Sequence, residues 1–555
     1  MPGQLIALVM DAEAAMEANV SLAPYIKSRK DLLGGYAVAY VEESDIDKVY
    51  LHTANFTTNV YPHVLGLLGD ADLEASGITM VHRQPYLNLK GSGVLLGFVD
   101  TGIDYTNGVL RYEDGSSKIQ YIWDQTIDGE PPQSYPHGTE YSMSDLNRAL
   151  LSESPHEIVP HVDTVGHGTF MASVAAGRGY GRYNGAAPDS ELIVVKLRRA
   201  LPYDFSMNLI PESVENAFSS ADLMLGVQYI IDKAQQLGRP VAICIGLGTS
   251  YGSHDGTSIM ESYLSRAASV LGTAVCVAAG DESQAAHHAN GSIATGESKV
   301  VEVRVEKQAD IPLSMWSYAG DKMSVAIKSP TGEHIPRIPA RPGDTYTQRL
   351  ILERTTVVVK YQFPVSEHGG QVVMIRLLAA TPGVWQITVY GDSVLSGRYH
   401  MWLPITSHNP GARFLEPAPN YTITMPGTST GVITCGAYNA VDGSLSPTTS
   451  WGPSRMPSLL PDFVAPGVEV GGTFPGNIPG HMSGTSVAAA ITAGACALKL
   501  QWAVVEGNEP STNTARLRAN LIAGCGRDPS VEYPNNQWGY GKLNLYNTFR
   551  ALRGN

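Results

Sequence analysis

Three short segments of the sequence carry the side chains of a nucleophilic relay. Asp100 follows the apolar run of residues 94–99, His167 stands between two glycines, and Ser486 begins a stretch of small residues. A serine hydroxyl attacks a carbonyl carbon when an imidazole takes its proton, and a carboxylate fixes the tautomer of that imidazole. Each residue alone has a structural alternative, since Asp caps turns, His serves in cores, and Ser486 or Ser483 caps a helix. Together they are typical of acyl-transfer chemistry.

Apolar runs place these residues on a parallel sheet. The run 94–99 is short and continuously apolar, which is typical of a strand that is buried on both faces. Helical patterns at 221–236 and 259–270 lie between further runs of this kind, which favours an α/β fold with helices on both faces of a parallel sheet. Ligands of open α/β sheets bind at the carboxyl ends of the strands, where Asp100 stands. The further runs are residues 192–195, 241–245, 274–277 and 432–435.

At three places the sequence resembles the signature blocks of the subtilisin-like serine peptidases. The blocks are Asp-Thr-Gly at 100–102, His-Gly-Thr at 167–169 and Gly-Thr-Ser at 484–486, in the family's own order. The resemblance implies that Ser486 attacks the scissile carbonyl and that His167 takes and returns the proton. It also implies that Asp100 holds the imidazole in the required tautomer. The expected activity is that of a serine endopeptidase.

Two further blocks resemble parts of the family's substrate cleft. Gly246-Leu247-Gly248 follows a predicted strand and resembles the extended segment that pairs with a peptide by β-addition. Residues 461–467 resemble the loop before the nucleophile, and the whole resemblance covers about residues 90–300 and 425–550. It implies a protein or peptide substrate. The implied substrate-binding residues are Gly246, Leu247, Gly248, Ala278, Ala279 and Gly280.

The block after the predicted strand 274–277 departs from the family. There the family reads Ala-Ala-Gly-Asn, and its Asn donates to the oxyanion, whereas this chain has Asp281. An ionised Asp has no donor and repels the developing charge, and the loss of one such donor costs about 2.7 to 4 kcal/mol. Two alternatives stay open: a protonated Asp281 donates through its O–H, or the Ser486 backbone N–H binds the oxyanion alone. Both predict a weakened peptidase, and an inactive pseudoprotease that binds a partner is the competing function.

Changes of pattern divide the chain into four parts. Residues 1–80 form a predicted α+β unit, and 81–297 and 422–555 form the two parts of the catalytic domain. Residues 298–421 lose the helical patterns and are predicted to be an inserted all-β domain of the jelly-roll type. Its aromatic residues fill a sandwich core or, as the alternative, form a sugar-binding platform. They are Trp316, Trp385, Tyr390 and Trp402.

This organisation is similar to that of the clostridial Csp group, the germination-specific subtilisin-like proteases. The similarity rests on the N-terminal unit, the β insertion, the expected lack of a signal peptide and the stretch 247–257. It implies that residues 1–80 are a pro-domain, first an intramolecular chaperone and then a retained inhibitor. Self-cleavage is expected between about Tyr61 and Tyr86. The resemblance also implies a role in activating the precursor of a spore-cortex hydrolase.

Charge and cysteine usage exclude some classes of partner. With 38 Lys and Arg against 52 Asp and Glu, the net charge of -14 disfavours binding to nucleic acid and to anionic membranes. Five cysteines without C-x-x-C pairs predict buried free thiols and a reducing compartment. The apolar residues 5–10 follow no basic residue, so no signal peptide is expected, and no apolar stretch approaches the ~18 residues of a membrane helix. We expect a cytoplasmic or spore-associated protein.

No metal ion or cofactor is predicted. His287-His288 and His254-Asp255 lack the ligand spacing of a zinc site and are predicted to be solvated loop residues. No Asp-rich loop matches the pattern of a calcium site.

Overall fold

The structure is a computed structural model of the 555-residue chain. Parts of the predicted pro-domain and of the predicted cleavage window, such as residues 50–63 and 68–73, lie outside the described residues. The described residues are 5–11, 24–46, 49, 64–67, 74–179, 184–365, 369–409, 411–456 and 458–553.

Strands make up most of the regular structure. In chain order they are β1 Leu5–Asp11, β2 Ile26–Leu32, β3 Tyr36–Glu42, β4 Val64–Leu67, β5 Leu95–Asp100, β6 Ile119–Asp124, β7 Thr139–Ser142, β8 Glu191–Lys196, β9 Phe218–Ser219, β10 Val241–Ile245, β11 Leu247–Gly248, β12 Thr273–Ala278, β13 His288–Ser292, β14 Ser298–Val305, β15 Ala309–Ser317, β16 Lys322–Lys328, β17 His334–Ile338, β18 Thr345–Arg349, β19 Thr356–Gln362, β20 Val372–Ala380, β21 Gly383–Ser393, β22 Arg398–Trp402, β23 Ala412–Phe414, β24 Ile433–Tyr438, β25 Phe463–Pro466, β26 Val470–Phe474 and β27 Ile478–Met482.

Helices flank the strands up to residue 267 and again from residue 485, and none of the described α-helices lies between. Two of them begin with a capping box, in which Ser142 pairs with Asp145 and Ser258 with Glu261. The described α-helices are α1 Ile78–Arg83, α2 Met143–Leu150, α3 Pro155–Ile158, α4 His167–Ala176, α5 Pro202–Asn208, α6 Ser220–Leu237, α7 Ile259–Ala267, α8 Thr485–Leu500, α9 Thr514–Gly524 and α10 Leu545–Leu552.

An eight-stranded sheet forms the centre of the catalytic part, in the order β25-β24-β12-β10-β5-β8-β6-β7. All neighbouring pairs are parallel except β6 with β7 at the edge. Helices α4 and α8 contribute to the core on one face, and α6 and α7 to the core on the other. Both faces are covered, which is why the strands are continuously apolar. The predicted subtilisin-like α/β fold is confirmed.

Helix α8 is the central helix of this domain. Every residue from Thr485 to Leu500 is buried, and the small side chains allow close packing against β10, β12, β24 and α4. The helical stretch Thr485–Val505 is long and apolar enough to cross a membrane by length and composition, and 83% of its apolar window is buried inside the protein. The expectation that no apolar stretch approaches this length was therefore wrong. Thr492, Gly494 and Lys499 stand between the apolar residues, so the sequence shows no unbroken apolar run here.

The strands from β13 to β23 form two antiparallel sheets with a common core. One has the order β13-β22-β15-β20-β19-β18 and the other β17-β16-β21-β14-β23. The first strand, His288–Ser292, precedes residue 298, at which the β insertion was expected to begin. Trp316, Trp385 and Trp402 are 6%, 0% and 3% exposed, so these rings fill the interior and do not form an exposed sugar platform.

A buried arginine joins these sheets to the catalytic part. Arg455 donates to the carbonyl oxygens of Ser253 and Ser317 at 2.8 and 3.0 Å, and its guanidinium lies 2.5 Å from a carboxylate oxygen of Asp255. His254 stacks on Trp402 beside it, with ring centroids 4.2 Å apart. The contacts span the boundary between the two parts, and they fix the β insertion at one position.

The histidines predicted to be solvated are buried. His254, His287 and His288 are 1%, 8% and 1% exposed, so that prediction was wrong. Burial lowers the pKa of His254 to about 4 and that of His288 to about 3. Among the described residues, no group of three or more His, Cys, Asp or Glu could hold a metal ion. All five cysteines are free and buried, as predicted.

Candidate active site

Three element ends bring Asp100, His167 and Ser486 together. Asp100 is the last residue of β5, His167 the first of α4, and Ser486 the second of α8. Asp100 Oδ1 lies 2.7 Å from His167 Nδ1, and His167 Nε2 lies 3.2 Å from Ser486 Oγ. All three side chains are at most 3% exposed. We call these residues the Asp-His-Ser relay.

The backbone at the start of α8 places the nucleophile at the positive end of the helix. Gly484, the N-cap residue, has φ +133°, a conformation that side chains rarely adopt. Ser486 follows in the first helical turn, where backbone N–H groups have no intrahelical acceptor and the helix dipole is positive. An oxygen that gains negative charge beside Ser486 is therefore stabilised.

Asp163 holds the chain before His167 and was missed by the sequence analysis. Its Oδ1 accepts from the Thr101 hydroxyl at 2.9 Å and from Gly166 N at 2.8 Å, and its Oδ2 accepts from Thr169 N at 2.9 Å. Thr101 N also donates to Asp100 Oδ1 at 2.7 Å. The ends of β5 and α4 are thus tied to one buried carboxylate, which fixes the Asp100–His167 geometry.

A second buried Asp–His pair lies below the turn that follows Asp100. His161 Nδ1 is 2.6 Å from Asp124 Oδ2, and both side chains are fully buried. Because Ile103 N donates to His161 Nε2 at 3.2 Å, the ring proton resides on Nδ1 and is donated to Asp124. His161 thereby supports the turn after β5. The chain separation of 37 residues gave the sequence analysis no signal for this pair.

The predicted glycine segment lies directly beside the nucleophile. A methyl group on Gly246 would be 2.6 Å from Ser486 Cβ and 3.2 Å from His167 Cε1, so only glycine fits. The following strand β11 pairs antiparallel with β4, and the other edge of β4 pairs with β9. A segment of the N-terminal part thus lies between two edge strands as the middle strand of a three-stranded sheet.

Residues 278–280 line the neighbouring wall, and their polar backbone atoms are already used. Ala279 N donates to Cys435 O at 3.0 Å, and Ala279 O accepts from Thr424 N at 2.9 Å. Gly280 N donates to the Thr485 hydroxyl at 3.0 Å, and Gly280 O accepts from Ser450 N at 2.7 Å. These residues can shape a pocket, whereas Leu247 and Gly248 of β11 offer backbone pairing.

Asp281 lies beside Thr485, the first residue of α8. The resemblance to the family's motif implies this place. Its Oδ2 accepts from Thr485 N at 3.2 Å and from the Thr485 hydroxyl at 3.0 Å. Its Oδ1 accepts only a long hydrogen bond, from the Thr448 hydroxyl at 3.3 Å. Burial raises the pKa of Asp281 to about 6, although the hydrogen bonds from Thr485 oppose this shift. The neutral and ionised forms of the carboxyl group are therefore present in similar amounts near pH 6.

The order Asp, His, Ser along the chain, with the serine on the first turn of a buried helix, is the arrangement of subtilisin-like serine peptidases. Residues 409–541 match the family model described as Peptidase_S8, the subtilase family. The structure of the Clostridium perfringens CspB protease is similar over 86% of this chain and 97% of that one, with 31% identity and a TM-score of 0.76. The chain belongs to the subtilase family.

Curated relatives match over shorter stretches. The chain is 26% identical over 205 residues to subtilisin-like protease SBT2.3 of Arabidopsis thaliana, which is 31% of this chain and 23% of that protein. It is 34% identical over 128 residues to SBT2.1 of the same plant, which is 19% of this chain and 15% of that protein. The chain thus spans less than a quarter of the length of these relatives.

Proposed function

We propose that the Asp-His-Ser relay hydrolyses peptide bonds through an acyl-enzyme intermediate. The hydrogen-bonded chain from Asp100 Oδ1 through His167 to Ser486 Oγ carries this proposal. His167 Nε2 takes the hydroxyl proton as Oγ bonds to the scissile carbonyl carbon, and it returns that proton to the leaving amine. Water then repeats the sequence on the ester and releases the acid. Asp100 stays ionised and stabilises the imidazolium.

The proposed mode of substrate binding rests on the two strand edges, of β9 and β11, that β4 pairs with. A peptide between β9 and β11 gains backbone hydrogen bonds on both sides, in the manner of an added strand. The position that β4 occupies is therefore the proposed position of a substrate. The positive end of α8, with the Ser486 N–H, and the side chain of Asp281 form the proposed oxyanion site.

The register of β4 supports self-cleavage at one bond. Leu67 stands opposite Leu247 and Gly66 opposite Gly248, so the described pairs of β4 stop one position before Gly246. Gly246 in turn lies against Ser486 and His167. The residue after Leu67 in the sequence is Leu68, followed by Gly69. We propose that the chain cuts itself between Leu68 and Gly69, which falls inside the expected window.

Intact mass spectrometry of the purified chain and of its Ser486→Ala variant tests both proposals together. The wild type is expected to yield two fragments that meet at the Leu68–Gly69 bond, while the variant stays whole. Ser483→Ala is the matched control, because it removes a hydroxyl of the same kind three residues away, and it should cleave as the wild type does. Fragments of the same mass from Ser486→Ala would refute self-cleavage, and a cut at another bond would refute the register.

The contacts of the N-terminal unit support its retention after cleavage. The sheet β1-β3-β2 packs on α6, and the Tyr40 hydroxyl donates to Asp222 Oδ1 at 3.0 Å. Arg198 binds both partners, donating to Asp222 Oδ2 at 2.8 Å and to the Tyr40 oxygen at 3.1 Å. Asp222 and Tyr40 are 0% and 3% exposed. Separation would leave a buried carboxylate with one donor fewer, so the unit acts as a bound inhibitor that substrate must displace.

A pseudoprotease is the second candidate function, and Asp281 is the observation that favours it. An ionised carboxylate at the oxyanion site would oppose acyl transfer, and the cleft would then serve to bind a partner. A fluorophosphonate probe discriminates between the two, because it labels only an activated serine. Labelling that disappears in Ser486→Ala supports the peptidase. Absence of labelling after removal of the N-terminal fragment supports the binder.

For the physiological substrate we propose the precursor of a spore-cortex hydrolase. The support is the resemblance to the clostridial Csp group together with the likeness to the Clostridium perfringens CspB protease. The corresponding location is the cytoplasm or the spore. Incubation of a purified cortex-hydrolase precursor with the wild type and with Ser486→Ala tests this, with truncation expected only for the wild type. An intact precursor beside an actively self-cleaving enzyme would refute the assignment.

A further inference from the structure

We infer that Asp281 takes part in catalysis as a neutral carboxylic acid, with Oδ2 fixed as an acceptor and the Oδ1 hydroxyl donating to the oxyanion. The donor is then lost as the pH rises through about 6. This inference rests on the proposed function of the Asp-His-Ser relay and adds the donor that the relay needs.

The two oxygens of Asp281 have unequal surroundings. Oδ2 accepts two hydrogen bonds from Thr485, from the backbone N at 3.2 Å and from the hydroxyl at 3.0 Å. A carbonyl oxygen accepts two such bonds, whereas a carboxylic hydroxyl oxygen is a poorer acceptor. The arrangement therefore favours Oδ2 as the carbonyl oxygen and leaves Oδ1 to carry the proton.

Oδ1 is free to exchange its partner. Among the described residues, Oδ1 accepts one hydrogen bond, from the Thr448 hydroxyl at 3.3 Å, which is long for an O–H···O bond. A protonated Oδ1 can donate a hydrogen bond to the Thr448 hydroxyl oxygen while the cleft is empty, and an oxyanion can replace that acceptor. In this position the O–H does what the amide N–H of an asparagine would do, since the two side chains have the same shape.

The loop that carries Asp281 is braced against the nucleophile helix. Gly280 N donates to the Thr485 hydroxyl at 3.0 Å, and that hydroxyl donates onward to Asp281 Oδ2 at 3.0 Å. Thr485 immediately precedes Ser486. Asp281 and the nucleophile are therefore held by the same residue, which preorganises the donor as an oxyanion site requires.

The electrostatic surroundings favour the neutral form more than those of an ordinary aspartate. Thr485 on α8 and Thr448 and Ser450 on the loop after β24 face this loop, and none of them is charged. Glu282 on the same loop is negative and raises the pKa of Asp281, after burial as the main cause. That pKa is raised to about 6. An aspartate that must be protonated to work is therefore usable at mildly acidic pH.

The expected pH dependence follows with a definite sign. Below about pH 6 the carboxyl is neutral and can donate, and above it the neutral fraction falls about tenfold per pH unit. At about pH 8 roughly one molecule in a hundred retains the donor. His167 must be neutral to act as the base, so protonation of its imidazole sets the acid limb. Activity is confined between these limits.

The rate of self-cleavage measures this without a known substrate. The full chain is unfolded in urea and diluted into buffers from about pH 5 to about pH 8. The fragment is followed by intact mass, and recovery of structure by tryptophan fluorescence. Asp281→Asn restores a permanent donor, and Asp281→Ala removes both donor and charge. Glu416→Gln is the matched control, because it changes an exposed residue by the same charge.

We expect Asp281→Asn to resemble the wild type at about pH 5 and to exceed it by up to about a hundredfold at about pH 8. Asp281→Ala should be slower than the wild type at the acidic end and lose the alkaline limb. Glu416→Gln should follow the wild-type profile. A wild-type profile that Asp281→Asn leaves unchanged overturns the inference while the proposed function stands. Equal cleavage by Ser486→Ala, with no fluorophosphonate labelling at any pH, overturns the proposed function itself.

Discussion

Gly246→Ala tests the geometry of the relay through a single methyl group. The new carbon would lie 2.6 Å from Ser486 Cβ and 3.2 Å from His167 Cε1, whereas carbon atoms in contact prefer about 3.5 to 4.0 Å. One partner must therefore retreat by about 1 Å. Ser486 and His167 are buried and joined by the 3.2 Å bond between Oγ and Nε2, so the retreat separates nucleophile from base.

The expected loss is about a hundredfold in the rate of self-cleavage, since a displacement of about 1 Å at the reacting atoms costs this much. Gly246 does not have a positive φ, so the backbone adds no strain, and overpacking should lower the stability by about 1 to 3 kcal/mol. The assay compares appearance of the N-terminal fragment by mass with stability in urea. Gly526→Ala is the matched control, since the added methyl group would lie 3.8 Å from Lys542 O, an ordinary contact. Wild-type cleavage by Gly246→Ala would refute the placement of this residue beside the reacting atoms.

Two further substitutions test the contacts between the parts of the chain. Tyr40→Phe removes the donor to Asp222, which should weaken retention of the cleaved N-terminal unit by about 1 to 3 kcal/mol. Size-exclusion chromatography with mass analysis would detect the released fragment. Unchanged retention contradicts the proposed anchor. Arg455→Met leaves Asp255 buried without its cation. The free energy of unfolding, measured in urea, should fall by about 3 to 5 kcal/mol. A decrease of less than about 1 kcal/mol would show that the pair is dispensable.

The sequence was informative where function and burial leave a continuous pattern. The run that ends at Asp100 predicted β5, because a strand covered by helices on both faces cannot carry polar side chains. The glycine-flanked His167 and the small residues after Ser486 likewise predicted helix starts. Short motifs in the right order therefore sufficed for the fold class and for the three residues that the structure brings within hydrogen-bond distance.

The sequence was uninformative where a residue acts through distant partners. Asp163 and His161 support the relay through hydrogen bonds, and neither stands in a periodic pattern. Strand β4 has only four residues and gains its structure from pairing with β9 and β11. The histidines 254, 287 and 288 were placed in solvent because local polarity suggests loops, whereas packing of the β insertion buries them.

The loop that carries Asp281 connects the catalytic part to the β insertion. Glu282, the neighbour of Asp281, accepts from Thr406 N at 2.8 Å and lies 2.7 Å from His287 Nδ1. His288 then begins β13, the first strand of the insertion. The loop is thus held by α8 on one side, through Thr485, and by the insertion on the other. An oxyanion donor is useful only when it is fixed before the reaction, and these contacts with α8 and with the insertion limit the motion of the loop that carries Asp281.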